Sequence, residues 1–98
     1  NNIAYSSSKA RVNGFVRSCS EALAPSILIN CLAPGLIETD MISTLAPEKR
    51  KAMNEATPIS RTGTVEEMEN VVHFLLSEKV SFVTGQTYVA DGGRVTLP

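Results

Sequence analysis

Only two short segments of this 98-residue chain read as β-strands, and an irregular segment followed by a helical pattern lies between them. Residues 27–32 form an apolar run rich in β-branched side chains, the pattern of a strand buried on both faces of a parallel sheet. Gly85 precedes a second short run, Thr87–Ala90, which Gly92 and Gly93 close. Strands alternating with helices predict an α/β chain. Two strands, however, bury too little on their own: the sides of both, and the inner stripe of each helix, need partners. A chain with this pattern is expected to be part of something larger or to associate.

The helical segments carry their own signals. From about Ser6 to Ala24, the residues Val12, Phe15, Val16, Cys19 and Leu23 fall on one helical face, and Pro25 stops the run. Pro34-Gly35 breaks the first strand. Residues 36–63 then mix small apolar clusters (Met41, Ile42, Leu45) with charge, and Pro47 predicts a short helix through Ala56. Thr64 opens T-V-E-E, a capping box with Glu67. Met68, Val71, Val72, Leu75 and Leu76 follow as an amphipathic stripe.

Composition narrows the classes of function. At this length the chain is one small domain at most, with a limited core. A net charge of -1 gives no electrostatic reason to expect nucleic acid or an anionic membrane as partner. No apolar run approaches the roughly 20 residues that span a bilayer, and the polar start, N-N-I-A-Y-S-S-S-K, lacks the apolar centre of a signal peptide. Cys19 and Cys31 lie in apolar stretches without C-x-x-C spacing, and the chain holds a single histidine. Two buried free thiols in a reducing cytoplasm, and no metal site, are the expectation.

Tyr5 and Lys9 stand at i and i+4, one turn apart on a helix. A neighbouring ammonium favours the tyrosinate over the phenol, whose ordinary pKa is about 10. Such a phenol can pass a proton to or from a carbonyl or alcohol oxygen. On these two residues alone, a solvated helix face is the better reading, and Pro34-Gly35 alone is an ordinary turn.

Order and context add to this. Y-S-S-S-K beginning at Tyr5, N-C-L-A-P-G-L-I-E-T-D-M beginning at Asn30, and R-T-G-T-V-E-E-M through D-G-G between Arg61 and Gly93 together resemble the C-terminal portion of a short-chain dehydrogenase/reductase. I-E-T-D-M and R-x-G-x-x-E-E are similar to 3-oxoacyl-[acyl-carrier-protein] reductases, and are shared with sugar, steroid and secondary-alcohol dehydrogenases of the same type. The resemblance implies part of a Rossmann-type, doubly wound parallel sheet with the N-terminal cofactor-binding half absent. Residues 1–98 would be a single partial domain, and 36–63 a segment that covers the substrate. It implies Tyr5 as catalytic acid/base and Lys9 as the residue that tunes it and holds the nicotinamide ribose. Pro34 and Gly35 would turn the chain beside the cofactor, with Ile37 backbone groups on the carboxamide and Thr39 on the carboxamide or the phosphates. The cofactor would be NAD or NADP, and the substrate a small carbonyl or alcohol compound.

The family's T-G-x-x-x-G-x-G phosphate loop and its catalytic serine and asparagine precede the tyrosine, so none is assigned here. An isolated chain of this kind is expected to be inactive, pairing with the absent half or forming a homo-oligomer. The alternative is a non-catalytic module of the same origin that self-associates or docks on a partner. The link A-P-S-I-L-I-N is also about one residue shorter than the usual A-P-x-G-I-R-V-N.

Overall fold

Helix α1 runs from Asn2 to Leu23, four residues earlier than the stripe of apolar residues suggested, because nothing in N-I-A-Y opposes helix and Pro25 acts only at the far end. The computed structural model describes residues 2–94, apart from the side chains at 2 and 5–9. After α1 come β1 (Cys31–Pro34), α2 (Asp40–Ser43), α3 (Pro47–Glu55), α4 (Val65–Leu75), a 3-10 turn (Glu78–Val80) and β2 (Thr87–Ala90). The chain forms two compact units, one from Asn1–Cys31 with Leu75–Tyr88, the other from Leu32–Phe74 with Val89–Pro98. No helix among the described residues is long and apolar enough to cross a membrane.

In the first unit, Val16 and Val80 are the buried apolar side chains, and Ser20 is buried with them, its hydroxyl donating to the Arg17 carbonyl at 2.7 Å. Gly85 sits against this serine. Its φ is +76°, and an added Cβ would come within 2.5 Å of Ser20 Oγ, so only glycine lets the turn lie so close to α1. The Thr87 hydroxyl donates to Asn13 Oδ1 at 3.1 Å and ties β2 to α1. Much of the α1 stripe stays uncovered: Phe15 is 65% exposed and Val12 45%.

β1 and β2 pair as a two-stranded sheet. Cys31 N–H donates to the Gln86 carbonyl at 2.8 Å and Gly35 N–H to the Ala90 carbonyl at 3.0 Å, so both strands run the same way. β2 spans the residues expected of it. β1 does not: it was expected at 27–32 and is found four residues later, over Cys31–Pro34. Residues 29 and 30 use their polar groups on the turn instead of a ladder. Ile29 N–H donates to Thr84 Oγ1 at 3.0 Å, and its carbonyl accepts Gly85 N–H at 2.7 Å. The Asn30 amide donates to the Val83 carbonyl at 3.2 Å, while its Oδ1 accepts Gln86 N–H at 3.1 Å. At the other end, Pro34 is tolerated because Cys31 and Gly35, at odd-numbered positions, donate to β2. With alternating direction, the nitrogen at 34 points away from β2.

In the second unit the buried side chains are Ile42 and Thr57, whose hydroxyl donates to the Met53 carbonyl at 3.0 Å. α3 begins at Pro47 as its position predicts, and ends one residue before Ala56. The capping box forms in full: Glu67 N–H donates to Thr64 Oγ1 at 3.0 Å, and Thr64 N–H to Glu67 Oε1 at 2.9 Å. Of the α4 stripe, Met68, Val71 and Leu75 are half-buried, whereas Val72 is exposed. α2 and the 3-10 turn were not anticipated, since three or four residues are too few to show a period. Neither cysteine is in a disulfide, and both are half-buried rather than buried, in keeping with the incomplete cover on α1 and β1.

Arg61 grips Glu67 from the capping box with two bonds, at 2.8 and 2.9 Å. This guanidinium first, and the Thr64 backbone second, hold the Glu67 carboxyl at about 2, far below its ordinary 4.5. A carboxylate lowered on folding stabilises the folded form above its ordinary pKa, and that contribution disappears as the pH falls through the lowered value. The N-terminal turn of α4 is therefore expected to loosen between about pH 4.5 and 2. Amide exchange of residues 65–68 across that range checks this, and Glu67→Gln should flatten the response. Equal pH dependence in both proteins would rule out Glu67 as the cause.

Candidate active site

The strand end after Pro34 shows how four of the expected site residues are arranged. Gly35 meets the end of β2 so closely that a Cβ there would lie 2.6 Å from Asp91 Cβ and 2.7 Å from Asp91 Cα. Past it, Ile37 and Gly63 form an isolated parallel bridge. Gly63 makes both bonds, its N–H donating to the Leu36 carbonyl at 2.8 Å and its carbonyl accepting Glu38 N–H at 2.7 Å. In a parallel bridge of this kind the opposing residue turns its own N–H and C=O to the other side. Ile37 thus presents one donor and one acceptor, adjacent and facing away from Gly63.

Thr39 follows in extended conformation (φ -130°, ψ 172°) as the residue before α2, and its side chain makes no capping bond. Its hydroxyl is exposed and not used by the helix it precedes. Pro34, Gly35, Ile37 and Thr39 therefore lie on one continuous turn of chain within the second unit. α1 carries Tyr5 and Lys9 one turn apart in the first unit, and their side chains lie outside the described residues.

The sequence reading missed Glu38. Its carboxylate accepts the Thr62 hydroxyl at 2.8 Å and pairs with the Arg50 guanidinium. The Thr62 bond first, and Arg50 second, keep this carboxyl below the ordinary carboxylate range. These partners are 24 and 12 residues distant, so no local spacing could have announced them. A cavity of about 330 Å³ also opens in this unit, between Leu36, Met68, Val71 and Ala90 with Arg61 and Asp91 at its edge. Leu36 and Gly63 line it, so it adjoins the turn just described, although Ile37 and Thr39 do not line it.

The donor set suits a nicotinamide. A carboxamide offers an N–H₂ donor beside a C=O acceptor, which the Ile37 carbonyl and N–H complement, and a spare hydroxyl at Thr39 can add a third bond. Parallel strands with a turn at the carboxyl end of β1 define the class as far as the fold goes: an α/β protein, whose open sheets bind ligands at that end.

Comparison with known proteins gives the family. Residues 1–94 match the family described as enoyl-(acyl carrier protein) reductase. The chain is 44% identical over 90 residues to the 3-oxoacyl-[acyl-carrier-protein] reductase FabG of Aquifex aeolicus, covering 91% of this chain and 36% of that protein. It is 42% identical, with the same coverage, to the FabG of Chlamydia pneumoniae. The crystal structure of a 3-oxoacyl-[acyl-carrier protein] reductase from Brucella melitensis superposes with a TM-score of 0.89 at 37% identity, over 94% of this chain and 35% of that one. This chain belongs to the short-chain dehydrogenase/reductase family and is similar to its 3-oxoacyl-[acyl-carrier-protein] reductases. It spans little more than a third of the length of these relatives.

Proposed function

We propose that these residues supply the proton-transfer and nicotinamide-facing part of an NAD(P)-dependent oxidoreductase that interconverts a carbonyl and an alcohol. The observation that carries this reading is the outward-facing peptide pair of Ile37, placed directly after Pro34-Gly35. When bound, the dinucleotide supplies or accepts the hydride. Tyr5 gives its phenolic proton to the substrate oxygen during reduction and takes it back during oxidation. Lys9 stabilises the tyrosinate and holds the ribose. Ile37 fixes the carboxamide, and the Thr39 hydroxyl bonds the carboxamide or a phosphate. Residues 36–63 shape the substrate pocket, and the named relatives favour a 3-oxoacyl group on a carrier protein as substrate.

The 98 residues contain no T-G-x-x-x-G-x-G, so the pyrophosphate must be held by other polypeptide, and the chain on its own is inactive in this reading. Exposed apolar side chains support either a homo-oligomer or pairing with a nucleotide-binding half: Phe15 is 65% and Phe82 102% exposed. The same surface supports a second reading, a non-catalytic module that docks through it. Titration of the chain with NADH and NADPH, followed by nicotinamide fluorescence, separates the two. Saturable binding near micromolar, about -8 kcal/mol, means that association of copies completes the site. No binding up to millimolar, in the chain alone and after joining it to a nucleotide-binding half, overturns the enzymatic reading.

A further inference from the structure

The segment 36–63 leaves the sheet and returns to within hydrogen-bonding distance of its own start. Leu36 and Glu38 bond Gly63 through the backbone at 2.8 and 2.7 Å, and the Glu38 side chain reaches both Thr62, beside that return point, and Arg50, in the middle of α3. One carboxylate thus ties three places in the segment: its first turn, its helix and its last residues.

We propose that Glu38 is a positioning residue that closes this loop and thereby holds the Ile37 peptide group in its outward orientation. The inference rests on the reading of Ile37 given above. The geometry supplies the reason. Glu38 is adjacent to Ile37 and shares a peptide plane with it: the N–H of Glu38 and the C=O of Ile37 belong to one amide, and Gly63 holds the N–H side of that plane. With the N–H directed at the Gly63 carbonyl, the Ile37 carbonyl is forced to the opposite side. The Thr62 and Arg50 bonds keep the Glu38 side chain, and so its backbone, from rotating out of that arrangement. Charged acceptors form stronger hydrogen bonds than neutral ones, which suits a pin that is partly exposed to water.

Three variants test this: Glu38→Ala, which removes the pin; Glu38→Gln, which keeps an acceptor without the charge; and Arg50→Ala, which removes one partner. In the 98-residue chain, Glu38→Ala should speed amide exchange at Glu38 or its replacement and at Gly63 about three- to fivefold, as expected of an exposed pair. Amides of α4 should not change. Glu38→Gln should recover part of the protection, and Arg50→Ala should lose part of it. Unchanged exchange at 38 and 63, or equal acceleration throughout α4, would overturn the proposal. The NAD(P)H titration is then repeated on the variants: weaker binding in Glu38→Ala that Glu38→Gln restores is the result expected of a positioning residue. Equal binding in all three, with exchange altered, would show that the loop is pinned without serving the cofactor. A wild-type chain that binds no cofactor bears on the functional reading alone, and the exchange result still decides whether Glu38 closes the loop.

Discussion

Gly35→Ala is expected to destabilise the second unit by about 3 kcal/mol, at the upper end of overpacking substitutions. The added methyl would lie 2.6 Å from Asp91 Cβ and 2.7 Å from Asp91 Cα, and the second of these is backbone that no rotamer change can move. Relief requires the end of β1 to draw away from β2. That movement stretches the Gly35 N–H bond to the Ala90 carbonyl, 3.0 Å in the native arrangement. It also displaces Leu36 and Ile37, so cofactor affinity should fall together with stability. Gly14→Ala provides the control. Gly14 lies inside α1 with no atom within 4 Å of an added Cβ, and the change should stabilise the helix by about 0.5–1 kcal/mol. Urea midpoints of the two variants against the parent chain measure both effects. A midpoint for Gly35→Ala within experimental error of the parent would show that the contact with Asp91 relaxes freely.

The same glycine shows which parts of this fold could be read from the sequence and which could not. Signals confined to a few neighbouring residues translated directly into structure. T-V-E-E became a complete capping box, Pro47 opened α3, and the run after Gly85 became β2 at its expected residues. Wherever the outcome depended on a distant partner, the pattern misled or said nothing. The apolar run 27–32 looked like the strand itself, yet Asn30 and Ile29 are engaged by Val83, Thr84, Gly85 and Gln86, and pairing starts only at Cys31. Pro34 looked like a stop, but in a parallel ladder the position is harmless, because its nitrogen faces away from the paired strand. Pro34-Gly35 could be recognised as a turn. The reason for the glycine, its contact with Asp91, required the fold. Ile37 and Thr39 became candidates only through resemblance to a family, since a backbone peptide and an unused hydroxyl leave no pattern of their own. Glu38 was invisible for the same reason, its partners being Arg50 and Thr62 across the loop.

Tyr5→Phe is expected to have the largest effect on turnover of any single substitution in this chain. The change removes one oxygen and leaves the ring, so α1 should keep its stability and the cofactor its affinity. What disappears is the group proposed to exchange a proton with the substrate oxygen, and a positioned acid or base contributes about 10²–10⁴-fold to such steps. The loss should therefore appear in kcat, with nicotinamide fluorescence titrations unchanged, in whichever assembly of the chain binds the cofactor. Lys9→Met should behave differently, because the proposed role of Lys9 is double. Removal of its charge should lower kcat, weaken cofactor binding through the ribose, and move the onset of alcohol oxidation to higher pH, where the tyrosinate forms without help. The two substitutions should also fail to add, since Lys9 can assist proton transfer only through Tyr5. In the double variant, kcat should match that of Tyr5→Phe, while cofactor affinity should match that of Lys9→Met. Turnover within tenfold of the parent in Tyr5→Phe would remove the phenol from the mechanism. An additive loss of kcat would assign Lys9 a role independent of it.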